Sequence, residues 1–129
     1  HTYLSISDIA AIRLEGLGGA TFFDRANNDA PGHATASSMI FTQEIDRVYT
    51  DISAPLLLKD KTRKLEISQT GFRDCVIWNP GPRRAAAMAD MLPDGYRRML
   101  AVEAAVIPRR VTLMPNTAWV GVQSLRQSA

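Results

Sequence analysis

One carboxylate in the sequence stands alone among small apolar residues. Glu103 occurs in the stretch AVEAA, between Val102 and Ala104. Burying a charged carboxylate is costly unless a partner compensates for the lost water, and apolar surroundings favour its neutral form. A carboxyl group in this situation is suited to proton transfer. Glu103 is therefore the first candidate for a functional residue.

The histidines and the cysteine have no spacing that indicates a metal site. The histidines are His1 and His33, and the single cysteine is Cys75. One cysteine permits no disulfide within the chain, which fits a reducing compartment, so we expect a cytoplasmic location. The sequence predicts no metal ion and no cofactor.

The stretch that carries Glu103, YRRMLAVEAAVI, is ambiguous in its secondary structure. Its methionine, leucine, alanine and glutamate residues favour a helix. The strands predicted on both sides, with short connections between them, favour a strand. We expect a strand that ends before Pro108, because proline interrupts either structure.

Most of the remaining sequence has the alternating pattern of short strands. HTYLSIS places Leu4 and Ile6 on one face from the first residues, and EIDRVYT alternates in the same way. LLLKD followed by RKLEIS predicts a hairpin with residues 59–61 near its tip. CVIW predicts a strand buried on both faces, and MPNTAWVGVQSLR predicts a turn followed by a final strand.

Two stretches are predicted to lie outside the strands. FFDRANNDAPGHATASS is punctuated by Asn, Asp, Pro and Gly, and we expect a loop there. RRAAAMADM has the alanine content of a helix about two turns long. The whole pattern predicts an all-β fold with a short helical segment.

Length and composition restrict the class of protein. A chain of 129 residues, 46% of them hydrophobic and 22% charged, is sufficient for one globular domain. The net charge of +2 is too small to argue for nucleic acid as a partner. No apolar run approaches the roughly 18 residues that cross a membrane, so we expect no membrane partner.

Six stretches occur in an order that is specific to one family. They are HTYL, EIDRVY, VIWNPG, MADM followed by DGY, AVEAA and LMPNTAWVGVQSLR. The ordered set resembles the C-terminal part of the hexose-6-phosphate mutarotases, also called glucose-6-phosphate 1-epimerases. The resemblance implies a galactose mutarotase-like β-sandwich. It also implies that residues 1–129 are the C-terminal part of one such domain, with the N-terminal half absent from this chain.

The resemblance further implies acid–base catalysis on a sugar or sugar phosphate. A mutarotase opens a pyranose ring by removing the proton of the C1 hydroxyl and protonating the ring oxygen, and the ring then closes on the other face of C1. By their match to the family, Glu103 is the expected base, His1 the expected acid and Asp46 the expected ligand of a sugar hydroxyl. Proton transfers of this kind contribute about 10²–10⁴-fold to a rate.

Three further residues are candidates for contact with the substrate. They are Arg47, Trp78 and Asn79. Each also has a structural explanation: an ion pair for the arginine, core packing for the tryptophan, and a cap on the following turn for the asparagine. In the family the phosphate group is held mainly by basic residues of the N-terminal half, so phosphate recognition is not assigned to this chain by the resemblance.

Two alternatives to a hexose-6-phosphate mutarotase stay open from the sequence. One is a mutarotase of free aldoses, and the other is a carbohydrate-binding sandwich module without catalysis. The pairing of Glu103 with His1 favours an enzyme, because a binding module needs aromatic platforms rather than an acid and a base. We also expect that half a sandwich has unpaired strand edges through which the chain associates with copies of itself.

Overall fold

The computed structural model describes residues 1–61 and 63–128. Within these residues the chain is mostly strand, with one short α-helix and two 3₁₀ turns. In chain order the elements are β1 (Tyr3–Ser5), β2 (Arg13–Glu15), β3 (Thr21–Asp24), a first 3₁₀ turn (Arg25–Asn27), β4 (Ala30–His33), β5 (Ser38–Met39), β6 (Ile45–Tyr49), β7 (Leu56–Asp60), β8 (Arg63–Thr70), β9 (Asp74–Asn79), α1 (Gly81–Ala85), a second 3₁₀ turn (Gly95–Arg98), β10 (Met99–Ala105) and β11 (Val122–Ser128).

The strands form two antiparallel sheets that pack face to face. The six-stranded sheet has the order β1-β10-β9-β6-β3-β4, and the five-stranded sheet has the order β11-β8-β7-β2-β5. The core between them is made by apolar residues of both inner faces, among them Leu4, Ile77, Leu100 and Val102 from one sheet and Leu14, Leu58 and Ile67 from the other. The predicted all-β sandwich is confirmed.

β10 is the strand expected for Glu103, in spite of its helical composition. Leu100 and Val102 are fully buried, whereas Glu103 is partly accessible. β10 pairs with β1 on one side and with β9 on the other. Packing on both neighbours therefore outweighs the intrinsic preference of alanine and leucine for a helix.

The stretch predicted to be a loop contains a hairpin instead. β3 and β4 pair along their whole lengths, and the backbone turns at Asn28 and Asp29, which have φ values of 51° and 55°. β4 is the edge of the six-stranded sheet. An edge strand accommodates Pro31, since it is bonded to a neighbour on one side only. The proline and the asparagines that indicated a loop belong to a hairpin at the edge of the sheet.

The helical segment is shorter and earlier than the predicted residues 83–91. α1 spans Gly81–Ala85, about one turn. The Asn79 side chain accepts a hydrogen bond from the Gly81 N–H at 2.9 Å, so the turn begins directly after β9. Alanine propensity does not extend the helix, because so short a segment cannot recover the cost of helix nucleation.

No helix in the two described ranges is long and apolar enough to cross a membrane.

Candidate active site

The first residue of the chain stands beside the lone carboxylate of β10. β1 and β10 are antiparallel, with Tyr3 opposite Ala101, so the register continues to place His1 opposite Glu103. His1 Nδ1 lies 3.0 Å from Glu103 Oε2, which is hydrogen-bond distance. The Glu103 carboxylate therefore has a polar partner, and that partner is the imidazole predicted to be the acid.

Glu103 is largely sequestered, whereas His1 is accessible. The side chain of Glu103 is 14% exposed and that of His1 is 80% exposed. Burial raises the pKa of Glu103, and the positive charge of Arg25 acts in the opposite direction. A carboxyl group with a raised pKa and an accessible imidazole beside it can exchange protons with a bound molecule.

Asp46 and Trp78 lie on the same face of the six-stranded sheet as Glu103. Ala101 is opposite Trp78, and Trp78 is opposite Asp46. Residues that stand directly opposite one another share a face, and so do residues two apart along a strand. Asp46 is thus two strands from Glu103 and one step along the face. With neighbouring strands about 4.8 Å apart, roughly 10 Å separates their strands, which leaves room for one sugar ring.

The floor between the two carboxylates is apolar. Glu103 is opposite Val76, and Val76 is opposite Val48. Both valines are buried, and the rim is aromatic, with the ring of Tyr3 packed edge-on against that of Trp78 at 6.1 Å. Burial also raises the pKa of Asp46, opposed by nearby arginine charges. The carboxyl groups of Glu103 and Asp46 therefore lie at the two edges of an apolar surface formed by the two valines.

The structure does not bring Arg47 to this face. Residues alternate along a strand, so Arg47 points away from the side that holds Asp46. Its Nε donates to Asp24 Oδ2 at 2.9 Å, and its guanidinium lies 4.3 Å from the centre of the Phe22 ring. Arg47 therefore forms an ion pair and a cation–π contact on the inner face of the six-stranded sheet.

Asn79 is likewise on the inner face, where it is 1% exposed. Its Nδ2 donates to the carbonyl oxygens of Tyr96 at 2.7 Å and Met99 at 2.9 Å. Its Oδ1 accepts from the Gly81 N–H. All of these are contacts within the fold, and they hold the start of β10 against the end of β9.

Arg25 is a charged neighbour of the site that the sequence did not reveal. Arg25 follows Asp24, the last residue of β3, and begins the first 3₁₀ turn. Its charge opposes the burial effect on the pKa of both Asp46 and Glu103. The loop predicted for this stretch gave no reason to place Arg25 near the two carboxyl groups.

Two clefts lie elsewhere on the surface of the described residues. One of about 470 Å³ is lined by Asp8, Phe41 and Tyr96 among others, and one of about 490 Å³ by Asp24, Glu44 and Arg83 among others. Neither is lined by His1 or Glu103. The His1–Glu103 pair lies outside both clefts, on the outer face of the six-stranded sheet.

The sequence is similar to curated proteins that carry the provisional name glucose-6-phosphate 1-epimerase. The one from Cenchrus ciliaris is 32% identical over 123 residues, which are 94% of this chain and 37% of that protein. The one from Salmonella typhimurium is 34% identical over 116 residues, 87% of this chain and 39% of that protein. The one from Escherichia coli is 33% identical over 107 residues, 81% and 36% respectively. The chain thus spans well under half the length of these relatives.

Two solved structures have a similar fold. One, provisionally described as a mutarotase from Salmonella typhimurium, matches with a TM-score of 0.73 and 34% identity over 79% of this chain and 35% of that one. The other, HI1317, matches with a TM-score of 0.81 over 99% of this chain and 45% of that one. At 23% identity the second likeness concerns the fold alone. No protein-family model matches the chain.

Proposed function

Because the chain belongs to the hexose-6-phosphate mutarotase family, we propose that it carries the acid–base site of an enzyme that interconverts the α and β anomers of an aldohexose 6-phosphate. The observation that supports this most directly is the 3.0 Å contact between His1 and Glu103, on the sheet face shared with Asp46. The substrate proposed is a sugar phosphate, the class named in the curated relatives.

In the proposed reaction Glu103 is the base and His1 is the acid. The Glu103 carboxylate takes the proton of the C1 hydroxyl, while protonated His1 donates a proton to the ring oxygen. The bond between C1 and the ring oxygen breaks, and C1 becomes an aldehyde carbon. After rotation about the C1–C2 bond, the ring oxygen attacks the other face of C1. The protons return along the same paths, so the enzyme ends in its starting state.

The environment of each group suits its role in this proposal. With Nδ1 of His1 directed at Glu103, Nε2 is the ring nitrogen left to face the substrate. The burial that raises the pKa of Glu103 makes it a stronger base than an ordinary carboxylate. Asp46 at the far margin accepts hydrogen bonds from sugar hydroxyls and orients the ring over the valine floor.

The experiment is anomer exchange of glucose 6-phosphate, measured by NMR on the protein that carries this chain. Glu103→Gln keeps the size of the side chain and removes its basicity, so we expect exchange to fall by at least about 10²-fold. The matched control is Glu66→Gln, since Glu66 is in β8 of the other sheet and pairs with Arg126. Exchange at the normal rate in Glu103→Gln would remove this residue from the mechanism and favour a binding module.

Glucose without phosphate distinguishes the second enzymatic alternative. Faster exchange with glucose 6-phosphate than with glucose supports the proposed substrate class. Equal rates would instead indicate a mutarotase of free aldoses. We further propose a cytoplasmic location, which is consistent with the free thiol of the buried Cys75.

A further inference from the structure

We propose that Gln123 is a positioning residue for the His1–Glu103 pair, which it holds in register from the opposite sheet. Gln123 lies in β11 of the five-stranded sheet, whereas the pair belongs to the outer face of the six-stranded sheet. Its geometric role stands on contacts within the structure. Its consequence for catalysis rests on the proposed function.

The amide of Gln123 joins the two chain segments that carry the acid and the base. Its Oε1 accepts a hydrogen bond from Thr2 Oγ1 at 2.5 Å, and its Nε2 donates to the Val102 carbonyl at 2.9 Å. Thr2 is the neighbour of His1 in the chain, and Val102 is the neighbour of Glu103. A single planar side chain therefore fixes the separation of both segments.

Thr2 and Val102 are paired across β1 and β10, directly next to the pair formed by His1 and Glu103. Tyr3 is opposite Ala101, so Thr2 comes opposite Val102, and the Val102 N–H donates to the Thr2 carbonyl at 3.1 Å. The side chains of Thr2 and Val102 point to the inner face of the sheet. Those of the next pair, His1 and Glu103, point to the outer face. Gln123 thus holds Thr2 and Val102 from the inner face of the sheet. The pairing of these two residues aligns His1 with Glu103 on the outer face.

Such a clamp matters because the acid lies outside the regular strand. β1 begins at Tyr3, and His1 is 80% exposed. The position of His1 beside Glu103 therefore depends on the contacts of its neighbour Thr2, which the Gln123 amide holds. A general acid must stay within hydrogen-bond reach of the ring oxygen, and a displacement of about 1 Å can cost about 10²-fold in rate.

Glutamine is well suited to this position, because one group must both donate and accept. An ionised glutamate offers acceptors only, and leucine of similar size offers neither. Gln69, which is opposite Gln123 in β8, makes comparable bonds to the carbonyls of Ile52 and Asp74 at 3.3 and 3.2 Å. Gln69 thus bonds to backbone at and near the start of β9, and not to the segments of His1 and Glu103. It is therefore the matched control for substitutions of Gln123.

The first readout is the NMR signal of the His1 ring nitrogens in the protein that carries this chain, labelled with ¹⁵N-histidine. Glu103→Gln identifies the Nδ1 shift that reports the hydrogen bond. We expect Gln123→Leu to shift Nδ1 in the same direction, and Gln69→Leu to leave it unchanged. An unchanged Nδ1 signal in a folded Gln123→Leu variant would overturn the proposal.

A pair of threonine variants tests the same clamp with less disturbance to folding. Thr2→Val is isosteric and lacks the hydroxyl, whereas Thr2→Ser retains it. We expect Thr2→Val to shift the Nδ1 signal of His1 and Thr2→Ser to restore the native position. If the two variants give the same Nδ1 signal as each other, the clamp through Thr2 is absent and the proposal fails.

The second readout is the kinetics of anomer exchange in the protein that carries the chain. A misaligned acid slows the chemical step, so kcat should fall at least about tenfold in Thr2→Val and Gln123→Leu, with KM changed little. Gln69→Leu should keep kcat. If Glu103→Gln leaves exchange unaffected while Gln123→Leu still moves the His1 signal, the proposed function fails and the positioning role of Gln123 is supported.

Discussion

Glu103 is subject to two opposing influences. Its side chain is mostly withdrawn from water, which raises its pKa, yet positive charge from Arg25 reaches it. Burial is the larger effect. The raised pKa makes Glu103 a stronger base than an ordinary surface carboxylate.

Removal of the Arg25 charge should change the pH dependence of the reaction. A base must be deprotonated to act, so activity falls as the pH drops through the pKa of Glu103. That pKa is already above the ordinary value, and Arg25→Gln removes a charge that lowers it. We expect the acidic limb of the kcat/KM profile to move to higher pH in Arg25→Gln, and the difference to shrink in high salt because the arginine is exposed.

Arg84→Gln is the matched control for this shift. The Arg84 charge acts on Asp46, whereas the influences on Glu103 are its burial and the charge of Arg25. We expect the acidic limb of Arg84→Gln to stay closer to that of the native protein than the limb of Arg25→Gln. An Arg25→Gln profile that overlays the native one at low salt would contradict the assignment of this limb to Glu103.

At the scale of elements, the junction between β9 and β10 depends on one buried amide. Asn79 bonds to the carbonyls of Tyr96 and Met99 and to the Gly81 N–H. Asn79→Leu removes these bonds and leaves their backbone partners without compensation. We expect the free energy of unfolding to fall by about 2–3 kcal/mol, measured by urea denaturation.

The control for this substitution is Asn27→Leu, made at an exposed asparagine in the first 3₁₀ turn. A surface change of this kind is usually within about 0.5 kcal/mol. Equal effects of Asn79→Leu and Asn27→Leu on the urea midpoint would show that the buried amide does not anchor the junction.

The sequence was most informative where a pattern is local. The β7–β8 hairpin and the alternation of β6 follow from neighbouring residues, and both were predicted. The β3–β4 hairpin was missed, because a proline in an edge strand has the same composition as a proline in a loop. The strand of Glu103 could be predicted from its neighbours rather than from its own propensities.

The candidate site was predictable to the extent that its residues lie in recognisable stretches. His1, Asp46 and Glu103 come from three of them, and the structure brings His1 and Glu103 into contact. The contacts of Gln123 could not be predicted, because its partners are 121 and 21 residues away along the chain. Only the packing of one sheet on the other brings such residues together.

At the scale of the whole molecule, one edge of the sandwich is incompletely covered. Leu125 of β11 is opposite Ile67 of β8 and shares its inner face. Ile67 is 4% exposed, whereas Leu125 is 48% exposed. The segment 111–120 next to β11 also presents large apolar side chains to solvent, among them Val111, Leu113, Met114 and Val120. Exposed apolar surface beside a free strand edge favours association.

We therefore expect the isolated 129-residue chain to associate with copies of itself through the β11 edge and to exchange glucose 6-phosphate anomers poorly. Leu125→Lys places a charge on the uncovered inner face and should reduce the mass measured by light scattering. Ser124→Lys places the same charge on the same strand but on the opposite face, so it should reduce the mass less. A native chain that is monomeric and fully active would contradict this prediction, because an exposed apolar edge would then be compatible with an independent enzyme.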